Sequence, residues 1–188
     1  MIDPDHILNT NRSSEELEEL LLFCIAVAGH SAHPTAKAID RFLEGTDTPF
    51  AQVRKYSVEG TLSQRIRDAG LGCHTKLVKA FEQLVRTEIN LKTCTLSQLE
   101  AIHGIGPKTS RFFLLYSRVQ PGRIAVLDRH VLRYMSELGI DVPKSTPSGS
   151  KYLELEQKMV EHVESLGLDM SKADLDIWVR YRKKSEES

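Results

Sequence analysis

Two glycines enclose a single isoleucine at Gly104-Ile105-Gly106, and Pro107 and Lys108 follow directly. Few backbone paths fit that spacing. Gly104 and Gly106 allow dihedrals and close approaches that a Cβ would obstruct. Pro107 suits the first turn of a helix, where its missing N–H costs nothing. Apolar residues recur at helical steps through Leu96, Leu99 and Ile102 before the turn, and a second helix runs to about Val119 after it. A helix, tight turn and helix are therefore expected over about residues 96–119, with Ile105 plugging the hairpin and the small Ser110 where the helices approach closely. The second helix start gathers backbone N–H groups without intrahelical partners, a ready phosphate site.

The remaining chain reads as helical too. Ser13 precedes a helix to Ala28; others are expected from Pro34 to about Leu43, Phe50 to Tyr56, Leu62 to Ala69 and His74 to about Glu88. Asp128 can cap a helix to about Leu138, residues 143–150 read as a loop, and helices over about 151–166 and 172–182 finish the chain. Ile124-Ala-Val-Leu127 is the one β-like run, too short for a sheet. The fold class is all-α.

Charge adds a second constraint. The net charge of the 188 residues is −1, which by itself argues against a general nucleic-acid binder. Between His103 and Arg133, however, stand Lys108, Arg111, Arg118, Arg123, Arg129 and Arg133 against the single acid Asp128. One face can thus be basic while acids gather elsewhere, at Glu15, Glu16, Glu18 and Glu19 and from Glu154 to Glu164. Cys24, Cys73 and Cys94 form no close pair, so neither a metal site nor an iron–sulfur cluster is expected, and Cys24 reads as a buried thiol. No apolar run approaches the roughly 20 residues that span a bilayer. The acidic Met1-Ile-Asp-Pro-Asp5 lacks the basic and apolar regions of a signal peptide. A cytoplasmic monomer is expected, nucleoid-associated in a prokaryote.

The hairpin resembles the helix–hairpin–helix, a sequence-independent binder of DNA backbone. On that reading Gly104, Gly106, Thr109, Arg111 and Arg129 contact phosphates. Such hairpins also occur in helicase-associated, nuclease and polymerase modules, where the lysine only touches phosphate. What discriminates is Ile124-Ala-Val-Leu-Asp128-Arg-His-Val-Leu-Arg133-Tyr, which places an aspartate at a helix start twenty positions after Lys108. This pairing resembles the helix–hairpin–helix DNA glycosylase superfamily, in whose bifunctional members a lysine holds the position of Lys108.

The segment Gly70-Leu-Gly-Cys-His-Thr-Lys-Leu-Val-Lys79, the run Leu21 to His30, and Asp174-Leu-Asp-Ile-Trp178-Val-Arg-Tyr181 extend the likeness over most of the chain. The last of these, together with Leu127-Asp-Arg-His-Val-Leu-Arg133, is most similar to the archaeal-type 8-oxoguanine glycosylase/AP lyases. Those enzymes use a terminal lysine in base recognition, whereas Ser-Glu-Glu-Ser follows Lys184 here. The resemblance implies two helical lobes, residues 1–28 with 122–188 and residues 29–121, and an active site in the cleft between them. It implies double-stranded DNA carrying a damaged base as partner, with an oxidised purine first and an oxidised pyrimidine still open.

The implied chemistry needs no cofactor. A neutral Lys108 amine attacks the sugar C1′ as the N-glycosidic bond breaks, giving an iminium whose β-elimination cuts the strand on the 3′ side. Burial, the helix N-terminus and cationic neighbours such as Arg111 or Arg129 favour the unprotonated amine. Asp128 stabilises developing positive charge or assists proton transfer, besides capping its helix. Trp178 is a stacking wall for the extruded base, and His30 and Ser31 are candidates for filling the gap that base leaves. Two other readings stay open at this point. One is a non-catalytic hairpin module with Lys108 on a phosphate; the other is a monofunctional glycosylase in which Asp128 activates water.

Overall fold

The computed structural model describes residues 2–186, with side chains through Arg182. A 3-10 turn, Pro4–His6, precedes ten α-helices. The first five are α1 (Ser14–Ala26), α2 (Ala32–Leu43), α3 (Pro49–Val58), α4 (Leu62–Asp68) and α5 (His74–Arg86). The next five are α6 (Leu96–Glu100), α7 (Pro107–Ser117), α8 (Arg129–Glu137), α9 (Gly149–Ser165) and α10 (Met170–Glu186). Among the described residues there is no strand, and no helix is long and apolar enough to cross a membrane.

Local chemistry explains the boundaries. Ser13 and Glu16 form a reciprocal capping box at the start of α1, and Thr95 and Gln98 do the same for α6. Gly72 lies under the exposed His30 ring: a Cβ there would stand 2.4 Å from it, so any other residue would turn that ring aside.

Two apolar clusters form the interior. Side chains of α1 to α5 and of α7 build the first, including Phe23, Phe42, Phe81 and Phe113. Side chains of α8, α9 and α10 build the second, including Met135, Tyr152, Met159 and Tyr181. The sequence assigns residues 1–28 to the C-terminal helices, but α1 lies among α2, α3, α5 and α7 and shares their core. The reason is its composition: every residue from Leu20 to Ala26 is buried, so this helix must be covered on all sides.

The segment 124–127 runs between the clusters. Ile124 and Val126 pack into the first, while Ala125 and Leu127 pack into the second. Extended backbone alternates its side chains between two faces, so the β-like run serves as a seam instead of a sheet strand. Its amides find side-chain partners: Ala125 N donates to Glu156 Oε1 (3.0 Å), and Leu127 N to the Tyr152 hydroxyl (3.2 Å).

Candidate active site

A cleft of about 1030 Å³ opens where both clusters meet the hairpin. Its walls include Phe23 and Val27 of α1, the start of α2, the hairpin, Asp128 and His130, and the inner face of α10. Of the residues singled out in the sequence, Gly104, Gly106, Lys108, Thr109, Asp128, Arg129, Trp178, His30 and Ser31 line it.

The hairpin forms as its glycines demand. Gly104 takes a φ of +82°, in the left-handed region. Ile105 is buried, and the Ser110 hydroxyl ties the two helices together by donating to Glu100 Oε1 (2.8 Å). Gly106 is the N-cap of α7 and offers no side-chain acceptor; the first intrahelical bond runs from Ser110 N to Gly106 O at 3.0 Å. The amides of Lys108 and Thr109 are thus the donors at this helix start. Thr109 is buried as a whole residue where it lines the cleft. Lys76 of α5 lies beside the turn, its Cε 3.1 Å from where a Cβ on Gly104 would stand.

Lys108, Phe112 and Tyr116 follow at steps of four along α7 and share its cleft side. The Lys108 Nζ sits 4.9 Å from the centre of the Phe112 ring, and that ring meets Tyr116 edge-on at 5.3 Å. Across the cleft, Asp128 caps α8: its Oδ1 accepts from His130 N (2.8 Å) and Val131 N (2.9 Å). Both bonds fall on one oxygen of the carboxylate. Arg129 is exposed and donates through Nε to His130 Nε2 at 3.2 Å. Burial and neighbouring cations hold His130 below its ordinary range, despite Asp128, so it accepts this bond as neutral imidazole.

Arg111 departs from the sequence expectation. It lies one turn beyond Lys108 yet is only 5% exposed, turned away from the cleft into a buried fork with Glu156. Nε reaches Glu156 Oε1 at 2.6 Å, Nη2 reaches Oε2 at 3.1 Å, and Nη1 reaches Glu100 Oε1 at 2.8 Å. A guanidinium held by two carboxylates offers nothing to a phosphate. Burial pulls its proton affinity down, but the Glu156 bond and charge outweigh this and raise it.

Asp174 went unnoticed as a site residue. It is buried in the cleft wall of α10, one turn before Trp178, and accepts from the Tyr116 hydroxyl at 2.6 Å. Burial first, and then the Asp128 charge, push its carboxyl from 3.8 up to about 7, against the pull of Tyr116 and Lys108. The available signal was its place on the inner stripe Asp174, Ile177, Trp178 and Tyr181, where an acid interrupts apolar residues.

Trp178 is half-buried, with His33 stacked on it at 5.9 Å and Arg182 4.5 Å from its ring centre. Asp5 joins this layer through His33 Nε2 (3.0 Å) and Arg182 Nη1 (2.7 Å). His30 and Ser31 are exposed at the cleft mouth. Cys24 is buried and burial pushes its thiol up to about 12, in line with a core residue. The comparison with a terminal lysine rests on side chains outside the described residues.

A family model described as Ogg-HhH, 8-oxoguanine DNA glycosylase, matches residues 4–168. The 8-oxoguanine DNA glycosylase/AP lyase of Methanocaldococcus jannaschii is 28% identical over 178 residues, covering 89% of this chain and 81% of the relative. A crystal structure of the glycosylase/lyase from that organism with a 15mer DNA containing 8-oxoguanine superposes with a TM-score of 0.64 at 26% identity, covering 89% of this chain and 81% of the other. The 8-oxoguanine DNA glycosylase of Thermotoga maritima gives 0.64 at 26% identity, over 88% of this chain and 79% of that one.

Proposed function

The chain belongs to the 8-oxoguanine DNA glycosylase family, and from that premise we propose that it is a bifunctional DNA glycosylase/AP lyase acting on 8-oxoguanine in duplex DNA. The observation that carries this reading is a convergence. An amine at the start of α7 and a carboxylate at the start of α8 face one cleft, beside backbone amides left open by Gly106. A module that only gripped backbone would need the amides and no such cleft.

The hairpin amides and Lys76 hold phosphate, and the extruded base enters the cleft. The neutral Lys108 amine attacks C1′ while the N-glycosidic bond electrons depart with the base, which takes up a proton. Asp128, already ordered by the two amides of α8, stabilises the positive charge that develops on the sugar. The amine's nitrogen then expels the sugar ring oxygen, giving an iminium. Loss of a C2′ proton eliminates the 3′ phosphate, and water releases the lysine. Phe112 and Trp178 supply apolar surface for the base. A division into two lobes with α1 grouped with α2 to α7, a monomeric state and a cytoplasmic or nucleoid location belong to the same reading.

Borohydride trapping tests it. Wild type and Lys108→Gln are incubated with duplexes holding 8-oxoguanine, thymine glycol or an abasic site. The expected result is a reduced covalent adduct with wild type that vanishes in the variant. Base release with no adduct on any duplex would replace this reading with the monofunctional one. Duplex binding without base release would leave a binding module.

A further inference from the structure

Four links join the amine to the carboxylate, and a buried ion pair is the second of them. Lys108 sits one turn before Arg111 on α7. The Arg111 Nε donates to Glu156 Oε1 at 2.6 Å, and that same oxygen accepts from Ala125 N at 3.0 Å. Three residues later, through a tight turn in which Asp128 N donates to Val126 O (2.8 Å), the chain reaches Asp128. The guanidinium is also fixed on its other sides, by Glu100 Oε1 (2.8 Å), by the Pro107 carbonyl (3.3 Å) and by the Tyr152 ring, 4.6 Å from Cζ to centroid. Tyr152 in turn clips the seam twice, donating its hydroxyl to Ala125 O (2.9 Å) and accepting from Leu127 N (3.2 Å).

We propose that Arg111 is a positioning residue: through Glu156 it sets the start of α7 against the 124–127 seam, and so sets Lys108 against Asp128. This rests on the reading of the site given above. Two apolar clusters can slide along a shared boundary at small cost, because apolar contact is non-directional. A bidentate fork has fixed geometry and cannot slide. Stability alone does not account for such a pair, since buried ion pairs are commonly matched by apolar replacements of similar volume. Registry is what the fork adds, and a displacement of about 1 Å in a reacting group can cost roughly a hundredfold in rate.

The test uses the double variant Arg111→Met with Glu156→Gln, which keeps an acceptor for Ala125 N and leaves no unpaired buried charge. Single-turnover release of 8-oxoguanine, the Kd for the duplex and the melting midpoint are measured together, with rates read well below the lowest midpoint. The expected result is excision slowed about ten- to a hundredfold with Kd unchanged within about twofold, since neither side chain faces the cleft. Arg111→Lys should not restore the rate, because an ammonium cannot make the fork. Tyr152→Phe provides a second lesion in the same tether and decides the matter if the double variant does not fold. It should slow excision with Kd unchanged. A folded variant that excises as fast as wild type overturns the proposal alone. A wild type that excises from none of the duplexes overturns the reading of the site, and the proposal with it.

Discussion

Helix α7 carries two basic side chains one turn apart, and the structure treats them in opposite ways. Lys108 is half-buried at the cleft, with its Nζ over the face of Phe112. Arg111 is buried on the other side, gripped by Glu156 and Glu100. Residues three positions apart on a helix are neighbours, yet here one lines the cleft and the other is buried in the joint between the two clusters. The cleft face of α7 holds a stripe of Lys108, Phe112 and Tyr116. On the inner face the Arg111 guanidinium makes four hydrogen bonds. One side is built to meet a substrate, and the other to hold the first in place.

Breaking the cleft side should have the largest effect. Asp128→Asn keeps a helix cap, since asparagine caps as well as aspartate, but removes the charge. Excision should fall by about 10²- to 10⁴-fold with the melting midpoint nearly unchanged. A rate close to that of wild type would reduce Asp128 to a cap.

Breaking the inner side should appear in stability. Arg111→Ala leaves Glu156 charged, buried and unforked, which should cost about 3–5 kcal/mol, read by denaturant unfolding. A loss below about 1 kcal/mol, the range of exposed pairs, would mean that the fork is open to water.

Asp174 sharpens the contrast through pH. In the folded chain it holds its proton up to about 7, whereas its ordinary value is 3.8. Between those values the folded state binds more protons than the unfolded one, so this residue lowers stability progressively as pH rises. Asp174→Asn removes that penalty and keeps an acceptor for Tyr116. Its midpoint should gain on wild type from about pH 4 to about pH 7 and then level off. A difference independent of pH would contradict the burial of a titrating carboxyl.

The smallest effect belongs to the outer cations. Lys76→Ala and Arg129→Ala should each reduce the slope of log affinity against log salt by about 0.9, with stability nearly unchanged. Arg111→Ala should leave that slope alone. An equal slope change for all three would return Arg111 to the phosphate contacts.

Sequence reasoning reached the helices because their signals are local. Ser13 and Asp128 each mark a helix start within a few residues. It reached Gly104, Gly106 and Lys108 for the same reason, since the turn dictates its own residues. It missed what depends on pairing across the chain. Arg111 reads as one more basic residue until Glu156, forty-five positions on, is seen against it. Asp174 reads as a charge on a terminal helix until Tyr116 and Asp128 surround it. The placement of α1 failed similarly: its all-round apolarity called for burial but did not say between which partners.

The most direct test is to map the borohydride-reduced adduct by peptide mass spectrometry after digestion of the cross-linked protein. The sugar remnant is predicted on the peptide bearing Lys108, with none on the peptide bearing Lys76, the other lysine that lines the cleft among the described residues. A remnant on Lys76, or spread over several lysines, would contradict the assignment of the reacting amine to the start of α7.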